Sequence, residues 1–258
     1  MKIENLEALV VNLPQAEGRR RLMQAQLEQP GMPRYKLVPG VDGRKLADSD
    51  LPSIYDREKT KSDFGRELTR GELGCALGHV AAHREIIARG LPVALVFEDD
   101  AVIGHQFLMV LERLLPKMNL AKAEVVLLSH VGRYSAWGGR RVDKHHWLYK
   151  PYTAWGGHAY LATLPAAKAL LASQEPVHVM PDSWMYFYRS GVVDVRGLVP
   201  YCVGTAPLAA SSMIGHDRDE LNRKRGLRRW FRKYVWGKFI FQLVVKPALR
   251  LWKQPSTW

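Results

Sequence analysis

Along this chain, short unbroken apolar runs alternate with stretches whose apolar residues recur at helical spacing. Leu9–Leu13 (LVVNL) predicts a short buried strand. Gly18–Glu28 follows with helical composition, and QPGMP at 29–33 ends it. Tyr35–Val38 predicts a second strand, closed by a Gly40-Val41-Asp42-Gly43 turn, and the polar, aperiodic stretch 44–68 reads as loop with short helices. From Thr69 to Gly90 the pattern is helical. Thr69 and Glu72 have capping-box spacing, and Leu73, Ala76, Leu77, Val80 and Ile87 fall on one stripe. Gly90 suits the position just past the last turn. A strand at 93–97, a helix at Phe107–Leu115, a strand at Glu124–Leu128 and a helix at Ala159–Ala172 with Pro165 near its start complete the series. Strands alternating with helices predict an α/β domain with a mostly parallel central sheet.

The pattern breaks at VALVFEDDAVI, residues 93–103. Five apolar residues run into Glu98, Asp99 and Asp100. In an extended chain, residues i and i+2 share a face, so Glu98 and Asp100 point one way and Asp99 the other. Like charges crowded at the end of a buried strand repel one another, and a bound cation relieves that repulsion. Hard divalent ions such as Mg²⁺ and Mn²⁺ favour carboxylate oxygens and commonly complete their shell with substrate phosphates. In open α/β sheets the ligand crevice lies beyond the carboxyl ends of the strands, where this triplet sits. Read alone, the triplet also fits a solvated acidic turn.

Length and composition fit one large or two small globular domains: 258 residues, 47% hydrophobic and 24% charged. Charge changes the picture at one end only. The formal net charge is +13, yet no acidic residue follows Glu220, and eleven Lys and Arg lie between Arg223 and Lys253. In that stretch Leu227, Trp230, Phe231 and Tyr234 share one helical face, and Arg228, Arg229, Arg232 and Lys233 the other. This predicts a basic amphipathic helical tail over 221–258 that lies on an anionic membrane surface through residues 223–253. A helix packed on its own domain is the alternative. The same charges suit nucleic acid, but no recognised nucleic-acid motif accompanies them, so no nucleic-acid partner is expected. No run of about 18 uncharged apolar residues suggests a membrane span, and the N-terminal stretch does not read as a signal peptide. Cys75 and Cys202 are too far apart in sequence for metal-ligand spacing, which fits a reducing compartment; Cys75 lies off the apolar stripe with no base partner legible in the sequence.

LTRGELGCALGH at 68–79, followed by VALVFEDDAVI, resembles glycosyltransferase family 25, many of whose bacterial members are lipooligosaccharide β-galactosyltransferases. VVNLPQAEGRR at 10–20 resembles the family's opening strand, with Asn12, Leu13 and Arg19 in register. VDG at 41–43, HAYLATLPAAKALL at 158–171 and PVHVMPDSWM at 176–185 resemble further family segments in the same order, so the similarity covers roughly residues 8–215. Gly78 stands where a serine is usual, and Gln15 where an arginine or similar polar residue is common.

The resemblance implies a GT-A type nucleotide-sugar-binding fold over 1–220 and transfer with inversion at the anomeric carbon. It implies Mn²⁺ or Mg²⁺ on Asp100, with Glu98 or Asp99 reaching the ion through water or the donor ribose. His158 and His216 are the histidines available to complete the metal shell. Asp182 becomes the general base, or the cap of the aromatic segment after it, or both. Asn12, Leu13, Arg19 and Asp42 would line the nucleotide; Asp42 also reads as a cap of its own turn. His79 is carried in the same set, although its position first reads as a buried, hydrogen-bonded side chain. His145 and His146 fall in a basic loop read as acceptor-side surface or lid. The expected protein is a hexosyltransferase moving a sugar, galactose first among the candidates, from a UDP-hexose to a lipid-linked oligosaccharide at the cytoplasmic face of a bacterial inner membrane. The alternative is a non-catalytic nucleotide-sugar-binding homologue.

Overall fold

The structure, a computed structural model, describes residues 2–205 and 241–254. In chain order the elements are β1 (Glu7–Asn12), α1 (Glu17–Leu27), β2 (Arg34–Pro39), α2 (Leu51–Ile54), α3 (Arg57–Phe64), α4 (Arg70–Ala88), β3 (Val93–Glu98), β4 (Ala101–Ile103), α5 (Phe107–Leu114), β5 (Glu124–Leu127), β6 (Val131–Arg141), β7 (Trp147–Ala154), β8 (Ala159–Thr163), α6 (Leu164–Ser173), α7 (Trp184–Arg189), β9 (Asp194–Val199), β10 (Val203–Thr205) and β11 (Leu251–Lys253). Nine strands form one sheet in the order β11-β6-β7-β9-β5-β8-β3-β1-β2, and β4 pairs with β10 separately.

The sheet is mixed, which corrects the expectation of a mostly parallel one. β1 pairs in parallel with β2 and β3, and β5 with β9. The other five pairings in that sheet are antiparallel. Two departures from the sequence reading cause this. Residues 159–163 are not the start of a helix but β8, wedged antiparallel between β3 and β5. Every residue of AYLAT is buried, so its pattern carries no strand alternation and merges with the helix that follows. Thr163 marks the change: its hydroxyl oxygen accepts from Ala166 N at 3.2 Å, and Pro165 occupies the first turn of α6. The basic segment read as a loop is the hairpin β6–β7. At its turn His146 is buried beside Asp143, with Nδ1 3.0 Å from Oδ2, while His145 is exposed.

β3 shows why an unbroken apolar run is a strand here. Leu95 and Phe97 pack with Met23, Leu27, Phe107 and Leu111 on one face of the sheet, while Ala94 and Val96 pack with Ala82, Ile86, Ala167 and Trp184 on the other. Both faces are covered, so both sets of alternate positions are apolar. α4 forms as predicted. The Thr69–Glu72 capping box is made in full, and Gly90 takes φ +59 after the last turn. The VDG turn lies against this helix so closely that a Cβ on Gly74 would fall 2.3 Å from the Val41 carbonyl oxygen. A Cβ on Gly78 would fall 2.8 Å from Val11 Cγ1, so glycine at this position lets α4 approach β1.

Residues 251–254 belong to this sheet. β11 pairs antiparallel with β6, and the buried Gln254 side chain accepts from Val131 N at 2.7 Å and donates to Leu198 O at 2.9 Å. The sequence reading had placed these residues in a separate tail. The remainder of that tail up to residue 240, and residues 255–258, lie outside the described residues. No helix among the described residues is long and apolar enough to cross a membrane.

Candidate active site

β3 delivers Glu98 to the carboxyl edge of the sheet, and a turn at 99–100 leads directly into β4. The three carboxylates separate in the expected directions, although Asp99 and Asp100 lie in the turn rather than in the strand. Glu98 and Asp100 turn to the same partner: His158 Nδ1 lies 3.6 Å from Glu98 Oε2 and 3.3 Å from Asp100 Oδ1. Asp99 turns the other way, to β1 and α1. It accepts from Asn12 Nδ2 at 2.6 Å, and Arg19 NH1 lies 3.3 Å from its other oxygen.

His158 arrives on the loop between β7 and β8. That loop is fixed by the segment before α7: Gly156 N donates to Asp182 Oδ2 at 3.1 Å, and Trp184 Nε1 donates to Gly156 O at 2.9 Å. Asp182, remote in sequence, thereby stands two residues from the histidine that touches both carboxylates. Gly157 has a steric reason. A Cβ there would sit 2.6 Å from Glu98 Oε1 and 3.2 Å from His79 Cε1. From α4, His79 Nε2 reaches the same Oε1 at 3.3 Å, and its Nδ1 lies 2.9 Å from Tyr160 Oη.

The electrostatics follow from these contacts. Burial pushes His158 toward neutrality, but its hydrogen bonds to Asp100 and Glu98 outweigh that and raise its pKa to about 10. Burial likewise opposes ionisation of Glu98, and hydrogen bonds from His158 and His79 override it, so Glu98 is held well below the usual carboxylate range. Glu98 is thus an anion and His158 an imidazolium at neutral pH, and the histidine proton offsets the crowding of Glu98 and Asp100. Asp99 is shifted upward, first by burial and then by the charges of Asp100 and Glu98, against the pull of Arg19 and Asn12.

One donor atom each from Glu98, Asp100 and His158 fall within 4.8 Å of one another. Two carboxylate oxygens and an imidazole nitrogen at that separation suit a divalent cation, which would take the place of the histidine proton. Of the two histidines considered for the shell, His158 is at the site, and His216 lies outside the described residues. Asn12 and Arg19 meet the cluster through Asp99, and Leu13, just past the end of β1, is half-buried. Asp42 caps its own turn, accepting from Arg44 N at 3.3 Å, and is tied to the loop after β1 by Gln15 at 3.1 Å. His79 is buried and hydrogen-bonded, as its position first reads, and it touches Glu98. The sequence reading missed Gly157 and Tyr160. The Gly156–Gly157 pair ahead of His158 carried the usable signal, because adjacent glycines in a short loop mark a close approach.

Fold and site together define an α/β protein with two strand-end carboxylates and a histidine close enough to share a cation. Residues 5–138 match the model of glycosyltransferase family 25 (LPS biosynthesis protein), and the chain belongs to that family. It is 31% identical over 188 residues to procollagen galactosyltransferase 1-A of Xenopus laevis, covering 68% of this chain and 29% of the relative. It is 32% identical over 186 residues to the human inactive glycosyltransferase 25 family member 3, covering 68% and 30%. The chain thus spans about three tenths of the length of the curated relatives it matches. Among solved structures, the inositol-1-phosphate CTP transferase of T. maritima aligns over 86% of this chain and 98% of that one, with TM-score 0.41 and 12% identity.

Proposed function

We propose that this chain is an inverting hexosyltransferase of the GT-A type that moves a sugar from a UDP-hexose to a membrane-anchored lipooligosaccharide acceptor. The observation that carries this reading is the convergence of Glu98, Asp100 and His158 at the end of β3, with Asp182 held at the same loop. The galactosyltransferase names of its relatives favour galactose as the sugar.

Glu98, Asp100 and His158 would hold Mn²⁺ or Mg²⁺, which supplies Lewis-acid stabilisation of a departing diphosphate. Arg19 is half-exposed and anchored on Asp99, so its remaining guanidinium N–H groups can turn to phosphate oxygens. Asn12 fixes Asp99, and through it the direction of Arg19. In a single displacement the acceptor hydroxyl loses its proton as it attacks, and the Asp182 carboxylate accepts it, while the Gly156 N–H steadies one carboxylate oxygen. The membrane-facing part of the proposal, at the cytoplasmic face of the inner membrane, rests on the basic amphipathic sequence at 223–253.

The test is UDP release from a panel of UDP-sugars, with and without Mn²⁺, for wild type beside Asp100→Asn. Metal-dependent release from one donor, reduced at least 100-fold in the variant, is the expected result. A second reading, a nucleotide-sugar-binding homologue without turnover, is favoured by the relatives named as inactive. Tight UDP binding by calorimetry with no release from any donor would select it. Absence of UDP binding with Mn²⁺ present would sink both readings.

A further inference from the structure

Glu98 has two sides. Oε2 faces His158, while Oε1 faces His79 at 3.3 Å, across the site toward α4. One helical turn before His79 on α4 is Cys75, and residues four apart present their side chains on one face. One donor atom each from Cys75, His79 and Glu98 fall within 4.8 Å of one another. The far nitrogen of His79 is already held by an oxygen, Tyr160 Oη at 2.9 Å, and that oxygen lies 3.0 Å from His83 Nε2. Histidines that ligate metals have this arrangement: an outer hydrogen bond fixes the ring and the tautomer, leaving the inner nitrogen for the ion.

We propose that Cys75, His79 and Glu98 form a second cation site, selective for a thiophilic ion such as Zn²⁺, which shares Glu98 with the Glu98–Asp100–His158 group. The donor chemistry separates the two. A thiolate with an imidazole and one carboxylate suits Zn²⁺, whereas the carboxylate-rich group next to it suits Mg²⁺ or Mn²⁺. Three protein ligands leave a fourth position for water or another small ligand. The buried polar chain accommodates loading. With Nε2 given to the ion, His79 carries its proton on Nδ1 and donates to Tyr160, whose hydroxyl donates to His83 Nε2. Without the ion the chain runs the other way and ends in a His79 N–H to Glu98. Because Glu98 belongs to both groups, Zn²⁺ weakens Mn²⁺ binding. Only that coupling rests on the hard-ion reading of the neighbouring group; the site itself stands on its own three donors.

The experiment uses the full chain, reduced, with Co²⁺ as the spectroscopic stand-in for Zn²⁺. A thiolate-to-cobalt charge-transfer band with tetrahedral ligand-field absorption is expected, and one equivalent of Zn²⁺ should abolish it. Cys75→Ala should remove the charge-transfer band and weaken Zn²⁺ at least tenfold in chelator competition, while Asp100→Asn should keep both. Cys75 is only partly buried, so its alanine variant is checked for an unchanged melting temperature; His79→Gln serves as an independent loss of ligand. A wild-type protein with no charge-transfer band would overturn the proposal. So would a band that survives in Cys75→Ala, which would assign it to Cys202, or one lost in Asp100→Asn. If wild type shows the band while UDP release fails for every donor, the second site stands and the transferase reading falls.

Discussion

Asp182, half-buried, and His83, buried, each give a residue-scale prediction. Asp182 accepts from Gly156 N through Oδ2, so it positions the loop that carries His158, and the proposed mechanism makes it the base as well. Asp182→Asn retains an oxygen acceptor for that N–H but is no longer a base. The expected outcome is a fall in kcat of roughly 10²–10⁴-fold with little change in melting temperature; equal losses in both would make Asp182 a structural cap alone. His83 is neutral because burial, and then the nearby His79, push its pKa down to about 3. Its unfolded value is the ordinary one near 6.5, so below that pH the unfolded chain takes up a proton the folded chain refuses. Stability from this group is therefore fully present above pH 6.5 and is lost as pH falls toward 3, by about 1.4 kcal/mol per pH unit. Urea denaturation at pH 7, 6 and 5 checks this, and His83→Gln should flatten the slope between 6 and 5.

At the scale of elements, α4 carries the most. It lies against β1, supports the VDG turn, and presents Cys75 and His79 to the site. Its start rests on the reciprocal bonds of Thr69 and Glu72, with Arg66 clamping the Glu72 carboxylate at 2.6 and 2.7 Å. Thr69→Ala should cost about 1 kcal/mol in denaturant unfolding. This helix was legible because its cap, stripe and closing glycine are all local signals. β8 was not legible, because a strand buried on both faces has no alternation and, unlike β3, it runs without a break into the apolar helix α6. The hairpin β6–β7 was missed for the opposite reason. Most of β6 is only half-buried or exposed, so its residues give no apolar signature.

For the whole molecule, the placement of β11 decides how the basic tail should be tested. Truncation at residue 222 would remove a strand paired with β6 and the Gln254 bonds to Val131 and Leu198, so loss of membrane binding could reflect damage to the sheet. The informative variant keeps the chain and replaces Arg228, Arg229, Arg232 and Lys233 with Gln. Binding to vesicles containing anionic lipid should weaken by roughly 1 kcal/mol for each charge removed, with the wild type itself weakened by salt. Unchanged binding would place the membrane contact elsewhere. Much of the site was in the sequence: the strand end, the opposite directions of Glu98 and Asp99, and the family pattern all follow from neighbours within a few residues. What only the tertiary structure decided is which distant groups meet there. β8, entering the sheet antiparallel between β3 and β5, brings His158 to Glu98 and Asp100, Asp182 reaches the loop of His158 from the segment before α7, and α4 sets Cys75 and His79, one turn apart, beside Glu98. Local periodicity encodes which face a residue presents, whereas strand order depends on how the faces of the whole sheet are covered at once.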